Sequence, residues 1–376
     1  MLNKTQIENE IDFCLSRVDK GLEKYKYSYF PTEDVKHNYK ALYNGGWTGG
    51  FWTGMLWLAY ELTGDKKYRE VAESHLLSYR ERLINDFDLR HHDLGFEYSL
   101  SSVSAYKVTG SEIGRENGLI AAERLLRRFE PVGGFIKPWG EMNDPVENRM
   151  IVDTYLNLPL LFWATEESGN PKYREIAKAH LESTVDVLIR PDGRAYHTYL
   201  MDLNYGNPIM PVVDQGYAND SVWSRGQAWV VYGLALAYSY EKQEKLVGVQ
   251  RAATNKFIEL LPSDSVPAWD MVFTDTRTLK DTSASAIAAC GMLEMNRLLP
   301  NHEDAKKWAE KTDEMLLALM NGHTTRNIDS DTSALLIHGT SSVRHNMGIN
   351  ASVIYGDYYY LEALVRRIKP DWNKYW

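Results

Sequence analysis

Two aspartates stand at the heads of apolar, helix-like stretches. Asp93 lies in Arg90-His91-His92-Asp93-Leu94-Gly95-Phe96-Glu97-Tyr98-Ser99. Asp153 lies in Arg149-Met150-Ile151-Val152-Asp153-Thr154-Tyr155-Leu156-Asn157-Leu158-Pro159. A pair of carboxyl groups placed alike on two inward-facing helices is what a glycan-cleaving site needs. Asp153 is the sharper of the two, because Met150, Ile151, Val152, Tyr155 and Leu156 surround it in sequence. Burial raises a carboxyl pKa and keeps a proton available for general-acid work near neutral pH. A plain helix N-cap is the competing reading for both residues, and it is the stronger for Asp93. The His91-His92-Asp93 run does not read as a metal site. Adjacent histidines rarely face one metal from a helix start, and no His-x3-His partner is present. No metal or cofactor is expected.

Other residues compete and lose. Thr282-Ser283-Ala284-Ser285-Ala286 is small and hydroxylic, but a serine nucleophile would want a Gly-x-Ser-x-Gly elbow on a strand. Close helix packing is the better account of it. Asp357, in Gly356-Asp357-Tyr358-Tyr359-Tyr360, reads as a structural cap, and Glu97 as the partner of a neighbour.

The elements that must position these groups show in an internal repeat. Residues 59–78 and 164–183 agree at more than half of their positions, at an offset of about 105 residues, twice a unit of about 50. Each unit pairs a helix that is apolar on most sides with an amphipathic one. A glycine, Gly64 or Gly169, ends the first helix. Inner helices are expected near Phe51, Leu94, Asp153, Ser224, Thr282 and Asp357. Outer helices are expected near Tyr68, Ile113, Tyr173, Lys242 and His302. The stripe Ile7, Ile11, Cys14, Val18 and Leu22 supplies the sixth outer helix. Six inner and six outer helices, the first closing on the last, predict an all-α, (α/α)6 barrel formed as one domain over residues 1–376. An open α-solenoid is the alternative. In such a barrel the inner helices share a direction, so their N-termini open onto one mouth. Loops on a rigid scaffold commonly carry function. Converging helix N-termini favour an anion such as a carboxylated sugar.

Composition sets outer bounds. The chain has 376 residues, 25% charged and 44% hydrophobic, an ordinary globular balance. A net charge of −9 without a Lys/Arg stripe argues against nucleic acid. No apolar run approaches a membrane span, and the polar N-terminal stretch from Met1 predicts a cytoplasmic protein. Cys14 and Cys290 are expected as buried free thiols. With 24 Tyr and 11 Trp, the chain has rings enough to line a sugar site as well as fill a core.

The ordered set His91-His92-Asp93-Leu94-Gly95-Phe96-Glu97-Tyr98-Ser99, Asp153-Thr154-Tyr155-Leu156-Asn157-Leu158-Pro159, Trp223-Ser224-Arg225-Gly226-Gln227-Ala228-Trp229, Asp281-Thr282-Ser283-Ala284-Ser285-Ala286 and Gly356-Asp357-Tyr358-Tyr359-Tyr360-Leu361-Glu362-Ala363-Leu364 resembles the unsaturated glucuronyl hydrolases of glycoside hydrolase family 88. The resemblance implies a substrate made by polysaccharide lyases, an oligosaccharide ending in a C4=C5 unsaturated uronic acid. It implies Asp153 as general acid/base in hydration of that bond and Asp93 as a second carboxylate on ring hydroxyls. It implies Trp47, Trp139 and Trp223 as substrate-lining rings and His92, His197, Gln215 and Arg225 as polar contacts, with Arg225 the natural carboxylate partner by charge and fork geometry. Monomer or homodimer is expected. Members acting on sulphated disaccharides carry Ser-x-x-Ser-x-Lys before the last inner helix. Here Ser342-Val343-Arg344-His345-Asn346-Met347 puts His345 and Met347 at the second serine and the lysine, and Ser341 where other members have tyrosine. Sulphate preference is therefore not supported, with Arg344 the alternative source of charge. The alternatives are an unsaturated rhamnogalacturonyl hydrolase, an inverting glycosidase on the same barrel, and a non-enzymatic glycan-binding repeat protein.

Overall fold

The computed structural model describes residues 2–27, 29–328 and 331–376; Met1 lies outside them. Among the described residues, twelve principal helices alternate between an outer and an inner ring. The outer ones are α1 (Lys4–Leu22), α3 (Lys66–Ile84), α5 (Glu112–Leu126), α7 (Pro171–Leu188), α9 (Glu244–Glu259) and α11 (Ala305–Gly322). The inner ones are α2 (Gly49–Thr63), α4 (94–109), α6 (152–168), α8 (Ser224–Tyr240), α10 (Thr282–Leu298) and α12 (Ile354–Ile368). Each inner helix packs on the next, α12 closes on α2, and α1 packs on both α12 and α2. The ring is closed, an (α/α)6 barrel rather than an open solenoid.

The repeat explains the hairpins. Gly64, Gly110 and Gly169, which follow α2, α4 and α6, all have φ of 73°, a left-handed turn that glycine enters without a Cβ penalty. The next residue in each case, Asp65, Ser111 or Asn170, turns its side-chain oxygen onto the first turn of the following outer helix and caps it. Inner helices are apolar on every side because they are buried on every side: in α2, every residue from Gly49 to Ala59 is buried. The outer helices bury one stripe, as α7 does with Tyr173, Ala177, Leu181, Val185 and Leu188.

Two inner helices are irregular, one in its middle and one at its head. α4 passes from Leu94–Tyr98 through a π-helical turn at Ser99–Val103. α6 opens as a tight 3₁₀ turn at Val152–Leu156, and Pro159 starts its α-helical part. Asp153 lies within the 3₁₀ turn, and Asp93 stands six residues before the π-helical one; such departures from α geometry are common at functional sites. The all-α expectation misses short strands in the loops. The longest set is an antiparallel sheet of Arg149–Ile151, Thr198–Met201 and Pro208–Val212. These strands are three to five residues long, too short for a period-two pattern to show.

The far end of the barrel is plugged. Trp376 stacks on Tyr359 at 5.9 Å with planes 6° apart, and meets Phe96, Tyr232 and Tyr358 edge-on. Cys14 and Cys290 are buried free thiols. Among the described residues, no helix is long and apolar enough to cross a membrane.

Candidate active site

At the open end, a cavity of about 200 Å³ is lined by Trp47, His92, Asp93, Trp139, Ile151, Asp153, Gln215 and Arg225. Seven of the nine residues expected at the site therefore share one cavity. The other two, His197 and Trp223, stand one layer behind it.

Neither aspartate is a cap. Asp93 occupies the N-cap position of α4, yet its side chain makes no capping bond. Asp153 lies inside the 3₁₀ turn, and its Oδ1 is buried without a hydrogen-bond partner. Burial pushes the Asp153 carboxyl up to about 8; the Asp93 charge adds to the push, and Arg225 opposes it. Burial acts the same way on Asp93, but His92, His91 and Asn157 outweigh it and hold that carboxyl below its usual range. At neutral pH Asp153 keeps its proton and Asp93 does not. Two neighbouring carboxyls pushed apart in this way are suited to separate acid and anion roles.

The histidines serve Asp93. His92 Nε2 is 3.2 Å from Asp93 Oδ1, and His92 Nδ1 is 2.7 Å from the Thr154 hydroxyl. Burial drives His92 down to about 4, so it is neutral. An ionised carboxylate only accepts, which puts the imidazole proton on Nε2 and makes Thr154 the donor to Nδ1. His91 lies 3.4 Å from the other Asp93 oxygen. Among the described residues, no group of three or more His, Cys, Asp or Glu side chains is placed to hold a metal.

The cavity walls are held from outside. Trp47 stacks on Tyr355 at 5.1 Å. Trp139 donates its Nε1–H to Glu147 at 2.7 Å, and Arg128 holds its loop through the carbonyls of Lys137, Trp139 and Gly140. Arg225 packs between the Trp223 and Tyr355 rings. Its terminal N–H groups go to Asp281, Gln215 and the carbonyls of Thr340 and Ser341. It thus lines the cavity as a fixed charge whose fork is already occupied. Gln215 Oε1 is taken by Arg225, which leaves its amide NH₂ as the group to offer. Trp223 is 4% exposed, beneath Arg225 and 4.2 Å from the His197 ring. It supports the wall instead of forming it. His197 Nδ1 accepts the backbone N–H groups of Asp214 and Gln215, so its proton sits on Nε2, which has no partner.

Sequence reasoning missed Tyr355, Asn157, Thr154, Arg128, Glu147 and the role of Asp281. Asn157 and Asp281 lie within the motifs, but their partners are distant in sequence. Glu97 pairs with Arg82, both buried, as expected of it. In the loop before α12, Met347 is 52% exposed, and Ser342 and His345 bond each other.

A toroid that gathers an acid and a carboxylate in an aromatic-walled mouth defines a glycoside hydrolase of the (α/α)6-barrel class. A profile of Glycosyl Hydrolase Family 88 matches residues 21–367. The chain is 40% identical over 378 residues to the unsaturated chondroitin disaccharide hydrolase of Streptococcus pyogenes serotype M1, covering all of this chain and 94% of that protein. The crystal structure of unsaturated glucuronyl hydrolase from Streptococcus agalactiae superposes with a TM-score of 0.97 at 38% identity, covering all of this chain and 95% of that one. A variant of that streptococcal enzyme, solved with dGlcA-GalNAc6S, matches with a TM-score of 0.89 at 36% identity, over all of this chain and 94% of its own. The chain belongs to glycosyl hydrolase family 88.

Proposed function

We propose that the protein is an unsaturated glucuronyl hydrolase that removes the non-reducing-end 4,5-unsaturated uronic acid from oligosaccharides made by polysaccharide lyases. One observation carries the reading: a carboxyl with one unpartnered oxygen, raised to about 8 in the lining of an aromatic cavity, lies beside a carboxylate held ionised. The C4=C5 bond is a vinyl ether, which needs a proton donor more than a nucleophile. Asp153 gives its proton to C4, and positive charge develops at C5 and the ring oxygen. The Asp153 carboxylate then takes a proton from water as the water oxygen bonds to C5. The hemiketal so formed collapses, the ring opens, and the remaining sugar leaves with its hydroxyl. Asp93, fixed by His91 and His92, holds ring hydroxyls. The usual inference of stereochemistry from carboxylate spacing does not apply, because the attack is not at the anomeric carbon.

Likeness to the S. agalactiae complex supports a disaccharide of dGlcA and an N-acetylhexosamine as the substrate class. Met347 stands where sulphate-acting members carry lysine and offers no charge to a sulphate, which favours unsulphated products, Arg344 being the cation that the same loop retains. The test is a panel of lyase-generated disaccharides, sulphated and unsulphated, followed by loss of the double bond's ultraviolet absorbance. Turnover of unsulphated members is the expected result. No turnover across the panel, or sugar release from saturated chains instead, would sink the reading.

A further inference from the structure

Asn157 is fully buried at the end of the 3₁₀ turn that begins α6. Its Oδ1 accepts the backbone N–H of Phe96 at 2.8 Å. Phe96 is the third residue of α4, and its N–H is the group that the N-cap side chain of a helix normally takes. Asp93 sits at that N-cap position and does not take it. The Asn157 amide also donates to the Asp153 carbonyl at 3.3 Å, and it helps to hold the Asp93 carboxyl below its usual range. Gly95 makes the approach possible, since a Cβ there would lie 2.3 Å from the Asn157 Cα.

We propose that Asn157 is a positioning residue: it caps α4 from the neighbouring helix, so freeing the Asp93 carboxylate for the cavity and fixing it relative to Asp153. This rests on the acid role given to Asp153 above. An asparagine suits the place because it brings an acceptor for Phe96 and a donor for the carboxylate without adding charge. Glycine at 95 keeps the two helix heads in backbone contact. Without the amide, Asp93 is the nearest group able to cap its own helix, and doing so would draw its charge away from Asp153. Among the described residues, the charged or titratable groups acting on Asp153 are Asp93 from the head of α4, Arg225 from α8, Asp214 from the loop before α8 and Tyr359 from α12. Of these, only Asp93 is also acted on by the Asn157 amide.

The experiment compares Asn157→Ala and Asn157→Asp with the wild-type enzyme on an unsulphated lyase disaccharide. In Asn157→Ala, kcat should fall about 10²-fold from misplacement of the pair. The alkaline limb of kcat/KM should move about one pH unit toward acid as Asp93 withdraws. Asn157→Asp keeps an oxygen for the Phe96 N–H. It should recover most of the activity below neutral pH, with its limb at or above the wild-type position. The same displacement is read without turnover from the Asp153 carboxyl titration by carbon-13 NMR, assigned by difference from Asp153→Asn. An inactive wild type would defeat the functional reading; an active wild type whose two variants lose activity equally, with limb and titration unmoved, would overturn the positioning role. Should Asn157→Ala not fold, an acid-shifted limb in Asn157→Asp overturns it alone.

Discussion

Asp153 and Asp357 sit alike, in the first turns of inner helices α6 and α12, and burial raises both, to about 8 and about 7. Their hydrogen bonds separate them. Asp357 accepts the N–H groups of Leu335 and Leu336, each at 2.9 Å, and the Tyr39 hydroxyl at 3.1 Å. Asp153 lines a cavity and keeps one oxygen with no partner. The plugged end of the barrel shows the satisfied case again, with full charge. There Arg366 bonds Glu362, Glu294 and the Tyr232 hydroxyl, and Trp376 donates to Glu362. A raised pKa alone would nominate both aspartates as acids. What distinguishes a chemical carboxyl from a structural one is hydrogen-bonding capacity left over for a substrate.

The largest expected effect is at Asp153. Asp153→Asn should lower kcat/KM by about 10³-fold, with no fall in Tm, since the amide replaces a carboxyl that makes no bond through Oδ1. Activity near wild type would remove Asp153 from the acid role. The converse holds at the plugged end. Arg366→Met leaves Glu362 buried without its cation, while Glu294 keeps Arg297 and Lys374, and this should cost about 3–5 kcal/mol by denaturant unfolding. Activity per folded molecule should be unchanged. A loss of activity without loss of stability would erase the contrast between the two ends. Asp357→Asn is intermediate. One carboxylate oxygen becomes an NH₂ facing a donor, either Leu336 N–H or the pair Leu335 N–H and Tyr39. About 1–3 kcal/mol of stability should go, again with specific activity kept. If Asp357→Asn instead behaved like Asp153→Asn, leftover capacity would not be the discriminating property.

Much of this was readable in the chain. The duplicated segments at 59–78 and 164–183 gave the hairpin unit, and the apolar-all-round helices gave the inner ring. Asp153 stood out because its neighbours are apolar, and burial is what raises its pKa. The outer parts of the site were less legible. Trp223 has the composition of a lining ring, but whether a tryptophan faces a cavity or a core depends on Arg225 and His197, which cover it. Arg225 looked free to meet a substrate carboxylate, and only the fold reveals that Asp281, Gln215 and the 340–341 backbone occupy its fork. Asn157 lay inside a quoted motif, yet its function depends on the Phe96 N–H of another helix. Local pattern carries periodicity and burial; it does not carry which distant backbone group a side chain will satisfy.

The smallest effect tests the physical basis of the acid role without any substrate. The folded-state pKa of Asp153, about 8, lies above its ordinary value of 3.8. Below the ordinary value, folded and unfolded chains both hold the proton, and the carboxyl costs the fold nothing as a charge. As pH rises from there toward 8, the unfolded chain releases the proton while the folded one keeps it, so stability falls with pH through this window. The amide that replaces the carboxyl in Asp153→Asn has no proton to lose. The variant's Tm should match the wild type near pH 4 and exceed it by about 3–6 °C at pH 8, the gap opening between those limits. Glu294 runs the other way. Burial raises it, but Arg366, Arg297 and Lys374 hold it well below its ordinary 4.5. Its contribution is present above that value and is lost as pH falls, equally in both proteins, so the difference between them isolates Asp153. A gap that stays flat from pH 4 to 8 would mean that the fold does not hold this carboxyl protonated. In that case the comparison with Asp357 would lose its chemical half, whatever the kinetics of the variant showed.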